Sequence, residues 1–150
     1  MRILAILAAL GLASCSGSKD AVEIRQDHLR AVEDDPDVVA SIRAEQLKRL
    51  HGAVSAEERR QRLGHYYTIR WDGPEGREGE PVRVLFRFRQ AATGSAIRRM
   101  EATSPAGRKG AVEFRVTGSQ YLERGRVLAW HLSFFRGGEL METHQSFLWE

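Results

Sequence analysis

The sequence predicts a mainly β protein, an antiparallel β-sandwich of six or seven short strands preceded by two or three short helices. Two observations carry the sandwich. From His65 onward apolar and polar residues alternate with period two, and each alternating run is short and bounded by Gly, Pro or Ser. A third observation carries the helices, because before His65 the apolar residues recur at helical spacing beside capping residues.

Val22, Leu29 and Val32 place a weakly amphipathic helix over 21–33 that ends before Asp35-Pro36. Asp37 can cap a second helix over 38–50, with Val39, Ile42, Leu47 and Leu50 along one side and Gly52 beyond its end. Ser55 starts a third, with Glu58 three residues on as a capping box and Gly64 as its natural stop.

The strands begin with Tyr67, Ile69 and Trp71 alternating with Tyr66, Thr68 and Arg70, and the polar run from Asp72 to Pro81 is a loop. Val82, Val84, Phe86 and Phe88 then alternate with Arg83, Leu85, Arg87 and Arg89. Strands over 97–103, 111–117, 126–135 and 139–149 complete six. Strand number and spacing point to a sandwich of the immunoglobulin or fibronectin III kind, with a small barrel as the alternative. Tyr121, shortly before Gly125, holds the position of the tyrosine that pins a sandwich corner.

Arg136-Gly137-Gly138-Glu139 predicts a two-residue hairpin turn, because paired glycines accept the positive φ angles that such turns demand. A regular register from that turn puts Leu128, Trp130, Leu132 and Phe134 on one face with Met141, Thr143, Gln145, Phe147 and Trp149. It also makes His131 and His144 cross-strand neighbours, within about 5.5 Å at Cβ, with Glu142 one pair along. Two imidazoles and a carboxylate on one face are the start of a zinc or copper site or a pH-sensitive pair. Surface histidines that happen to be opposed are the plain alternative, since no third strong ligand accompanies them. His28, His51 and His65 are scattered over the earlier part of the chain.

The chain carries 23 basic and 20 acidic residues, a formal net charge of +3. Nearly all the basic residues are Arg, whose guanidinium forks match phosphate and carboxylate, although the codon bias of a GC-rich genome gives the same preference. The acids crowd the start of the chain, from Asp20 to Asp37, whereas the stretch from Val82 to Arg126 is strongly basic. Arg83, Arg87 and Arg89 project from one side of a single strand, and Arg70, Arg98 or Arg99 and Arg115 can add to them from neighbours. Such a face can meet an anionic polymer or an acidic protein. Two plainer readings are a solvated sheet face whose Arg stems cover apolar surface, and neutralisation by the acidic segment lying over it.

The first fifteen residues hold the only cysteine. Met1-Arg2 is a short positive start, Ile3 to Leu10 an apolar stretch, and Leu12-Ala13-Ser14-Cys15 closes it with small residues before the Cys. This segment resembles the signal peptide and lipobox of bacterial lipoproteins. The resemblance implies a signal peptide over 1–14, cleavage before Cys15 and a covalent lipid on that residue. It implies an outer-membrane anchor as well, since Ser16 and not Asp follows the cysteine. Ile3 to Ala13 falls well short of the roughly 20 apolar residues that span a bilayer.

The expected organisation is therefore a lipidated Cys15 and tether over 15–19, a helical segment with an acidic start over 20–64, and the sandwich over 65–150. No nucleophile with a base, phosphate-cradling glycine loop or metal motif is visible. The expected function is a non-enzymatic module, bound to the membrane through its lipid, that faces the periplasm and contacts another envelope protein or an anionic polymer. Nucleic acid is not an expected partner, and no cofactor is expected beyond the lipid. The alternative is a small-ligand or metal carrier using the His131 and His144 face.

Overall fold

A computed structural model describes residues 21–30 and 39–150. The signal segment, Cys15 and its tether, Asp20, the Asp35-Pro36 stop and the Asp37 cap lie outside the described residues. The described chain is mainly β, with seven strands in two antiparallel sheets packed as a sandwich, and three short helices. Strands β1 (Ala21–Leu29), β2 (Gly64–Asp72) and β5 (Lys109–Thr117) form one sheet in the order β1-β2-β5. Strands β3 (Val82–Gln90), β4 (Arg98–Ser104), β6 (Val127–Arg136) and β7 (Glu139–Gln145) form the other in the order β4-β3-β6-β7.

The first strand corrects the helix expected over 21–33. Val22 and Ile24 alternate with Glu23 and Arg25, and this two-residue period gives one face to the core and one to solvent. β1 pairs with β2 along its whole length, from Ala21↔Asp72 to Leu29↔Gly64, so a full ladder of backbone hydrogen bonds outweighs a weak helical periodicity.

Helices α1 (Ala40–Leu50) and α2 (Ala56–Gln61) precede β2, and α3 (Ser119–Arg124) links β5 to β6. The capping box of α2 forms as its sequence implies: Glu58 N–H donates to Ser55 Oγ at 3.1 Å, and Ser55 N–H donates to the Glu58 carboxylate at 2.9 Å. The apolar side expected of α1 is not buried, since Val39, Ile42 and Leu47 are exposed. Arg49 attaches the helix instead. Its guanidinium lies 4.1 Å above the Tyr66 ring, pairs with Asp27 of β1 at 3.3 Å and Glu45 of its own helix at 2.8 Å, and donates to Glu113 of β5. Burial works against the Glu113 carboxylate, but hydrogen bonds from Arg49 and Arg115 outweigh it and hold its pKa below the usual value.

The core lies between the sheets. Val82, Val84, Phe86 and Phe88 of β3 are fully buried against Tyr67, Ile69 and Trp71 of β2, Phe114 and Val116 of β5, and Leu132 and Phe134 of β6. Burying each large apolar side chain contributes about 2 kcal/mol. At one end of the sandwich Arg136 is fully buried and donates to the carbonyls of Arg77, Gly107 and Arg108, joining the loops on either side of it.

The last hairpin turns at Gly137 and Gly138, with φ of 56° and 87°, as its glycine pair implies. Its register then departs from the regular one. Phe135 faces Leu140, but Phe134 faces Glu142, so Met141 is an extra residue in β7. Beyond this bulge every β7 side chain changes face. Thr143 and Gln145 point outward instead of into the core, β7 ends at Gln145 instead of reaching 149, and Phe147 is 98% exposed.

Gly110 faces Trp71 across the β2–β5 ladder, and the indole packs so closely that a Cβ there would stand 2.2 Å from Trp71 Cζ2. Gly110→Ala is expected to destabilise the fold by about 2 kcal/mol through overpacking. Urea denaturation of the two proteins checks this, and an unchanged midpoint would exclude so tight an approach.

Candidate functional site

β3 sits between β4 and β6, so its inward residues reach the core while Arg83, Leu85, Arg87 and Arg89 point away from it. The outer face of the four-stranded sheet therefore carries the three arginines singled out in the sequence. Arg83 stacks on Phe135 at 3.9 Å from the ring centroid and lies 3.7 Å from Glu101, which partly neutralises it. Arg87 has no such carboxylate among the described residues, and Arg89 reaches only the main-chain oxygen of Glu150, 3.5 Å from its Nη2. Arg87 lies 5.6 Å and Arg89 5.2 Å from the Trp149 ring centroid.

Trp149 reaches them because residues 146–150 fold back across the sheet. Ser146 anchors this return: its N–H donates to the Trp130 carbonyl at 2.9 Å, and its Oγ accepts from Trp130 N–H at 2.9 Å. Arg89 Nη2 donates to the carbonyl of Leu148 at 3.2 Å. Burial and the neighbouring Arg87 guanidinium push the pKa of His131 down, so its imidazole is neutral at pH 7 and Nδ1 accepts from Arg87 Nη2 at 3.1 Å.

The register decides which other arginines join this face. Arg99 of β4 is the direct partner of Arg87 and belongs to it. Arg98 pairs with Phe88 and so stands on the opposite side of β4. Arg70 and Arg115 are in β2 and β5, on the other sheet. The acidic residues of β1 do not cover the basic face either, since Asp27 points to Arg49 beside the three-stranded sheet.

The expected cross-strand pair of histidines does not form. His131 faces Gln145, and His144 faces Leu132, because the Met141 bulge shifts the register by one residue. His131 thus lies on the outer face, whereas His144 lies on the inner side with Glu142, whose Oε1 is 2.8 Å from its Nε2. Among the described residues no group of three or more His, Asp or Glu stands where it could hold a metal.

A different pair of histidines does meet. His28 and His65 are register partners between β1 and β2, with rings stacked 3.8 Å apart. His28 Nε2 is 2.9 Å from Tyr121 Oη, so the tyrosine of α3 bonds a side chain here. Neither nitrogen of His65 has a hydrogen-bond partner among the described residues, although the residue is buried. Their meeting depended on residues 21–29 being a strand, which helical spacing concealed.

No protein-family model, no curated protein and no solved structure matches the chain.

Burial, with His28, Arg30 and Arg126 nearby, pushes the pKa of His65 from 6.5 down to about 3. The unfolded chain then binds a proton that the folded chain refuses, so stability falls as pH drops below 6.5 and keeps falling towards pH 3. His65→Phe keeps a stacked ring without the proton site, and from pH 7.5 to pH 5 it should lose about 2 kcal/mol less stability than the parent chain. Urea denaturation at the two pH values checks this, and parallel losses would show that His65 does not bear the burden.

Proposed function

We propose that this chain is a lipid-anchored envelope lipoprotein whose sandwich is a non-enzymatic interaction module, with the outer face of β4-β3-β6-β7 as its binding surface. The partner is anionic, either another envelope protein or a polymer. The observation that carries this reading is Arg87 and Arg99, opposed on one sheet face with no carboxylate in ion-pair reach among the described residues, and Arg89 beside them. Four arginines elsewhere in the molecule are neutralised: Arg49, Arg77, Arg108 and Arg115 each pair with an acid. Like charges left unpaired on one face sum to a field that attracts an anionic partner.

The strand order supports an immunoglobulin-like topology of the fibronectin III kind. Successive strands β2 and β3 cross between sheets, β4 returns beside β3, and β5 crosses back to β2. That architecture leaves a broad sheet face free for contact. The anchor on Cys15, the outer-membrane address and the orientation towards the periplasm rest on the lipobox and on Ser16.

Two experiments test the reading. In native envelopes, photo-crosslinking from the outer face should trap a partner, and the double substitution Arg87→Glu with Arg99→Glu should abolish that product without changing the thermal midpoint by more than a few degrees. Unaltered crosslinks would remove the basic face from the function. Separately, Cys15→Ala should abolish incorporation of labelled palmitate and move the protein from the membrane to the soluble fraction. Continued labelling or membrane retention would count against the anchor.

A further inference from the structure

We infer that Arg87 and Arg99 together form a binding site for a phosphomonoester dianion carried on a sugar ring. This rests on the anion-binding reading and narrows it to one chemistry.

The two residues are register partners on neighbouring strands. Opposed side chains in an antiparallel pair start about 5 Å apart at Cβ, and like charges placed so are destabilising. Carboxylates relieve the enclosed arginine on the other sheet, as Glu45, Asp27 and Glu113 do for Arg49. Here the nearest acid on the face, Glu101, is taken by Arg83 at 3.7 Å. A pair of fixed positive charges is matched by a single dianion. A phosphomonoester carries about −1.5 to −2 charge at pH 7 and presents three strong acceptor oxygens, whereas a carboxylate carries one charge and two oxygens.

One of the two donors, Arg87, is held in place before any ligand arrives. His131 Nδ1 holds Arg87 Nη2 at 3.1 Å, and the Trp149 ring lies along both Arg87 and Arg89. The buried Nε atoms of Arg87 and Arg89 have no hydrogen-bond partner among the described residues. A guanidinium clamped as Arg87 is loses little freedom when it binds, which favours affinity. Trp149 is only half-buried, so the exposed part of its ring beside Arg87 offers a ring-shaped carrier an apolar platform. The phosphate and its carrier thus meet different parts of one surface.

The test uses the full chain in phosphatidylcholine vesicles, followed by tryptophan fluorescence and calorimetry. The probes are glucose 6-phosphate, glucuronate and polyglutamate, with phosphatidic acid added to a second set of vesicles. Glucose 6-phosphate should bind at least tenfold more tightly than glucuronate. Arg87→Gln and Arg99→Gln should each weaken it at least tenfold, and Arg70→Gln on the other sheet should leave it unchanged. Competition by phosphatidic acid would assign the same phosphate chemistry to a lipid headgroup as well, and its absence would confine the site to soluble or polymer-borne sugar phosphates. Equal binding of glucuronate, or binding unaffected by the two substitutions, would overturn the inference. If glucose 6-phosphate fails to bind while Arg87→Glu with Arg99→Glu still loses the crosslinked partner, the phosphate site falls and the interaction face stands. Preference for polyglutamate would overturn it in favour of an acidic protein.

Discussion

The structure depends on β3, whose nine residues satisfy two opposite demands at once. Its odd and even positions look in opposite directions, so the strand that fills the centre of the core with Val82, Val84, Phe86 and Phe88 also sets out Arg83, Arg87 and Arg89 at regular intervals on the outside. The spacing of the arginines is therefore as rigid as the core itself. A slip of one residue would carry guanidiniums into the apolar layer and phenylalanines into water, so burial of the one set enforces the exposure of the other. Flanking by β4 and β6 makes this central position secure, because both edges of the strand are hydrogen-bonded.

The two sheets solve their outer faces differently. On the three-stranded sheet Tyr66 of β2 is covered by Arg49 of α1, and the charges around it are balanced by Asp27, Glu45 and Glu113. The helix is attached mainly by one guanidinium, with its apolar residues left outside. Removing Arg49 takes from Asp27, Glu45 and Glu113 the cation they share, which makes the attachment sensitive to that one substitution. On the four-stranded sheet the covering is slight, with Trp149 and the returning segment 146–150 lying over part of it. One face is closed by opposite charges and the other is left with like charges exposed, so the molecule has a distinct electrical front and back.

Much of this was legible in the chain because strong alternation is hard to satisfy in any other way. The inward residues of β2 and β3, the hairpin at Gly137-Gly138 and the capping box at Ser55 and Glu58 follow from local patterns. What was not legible depends on partners distant in sequence. Val22, Leu29 and Val32 fit a helix locally, but the waiting edge of β2 turns residues 21–29 into a strand. The Met141 bulge has no marker such as glycine, yet it exchanges the faces of His144 and Gln145 and separates two histidines that a regular ladder would join. Arg99 could be chosen over Arg98, Arg70 and Arg115 only once the register was known. The His28 and His65 stack was hidden for the same reason, because a helix and a strand offered no common surface on which to place them.

The place where β1 begins bears on how such a domain would stand at a membrane. With a lipid on Cys15, the five residues 16–20 can span at most about 18 Å before Ala21 enters the sheet. The leash is then shorter than the domain it holds, and it joins at the same end as Asp72, Lys109 and the Gly137-Gly138 turn. Under the proposed anchor, an attachment at one end of the strands would turn the two broad sheet faces across the plane of the bilayer and not against it, so a partner of the arginine face would be met from the side.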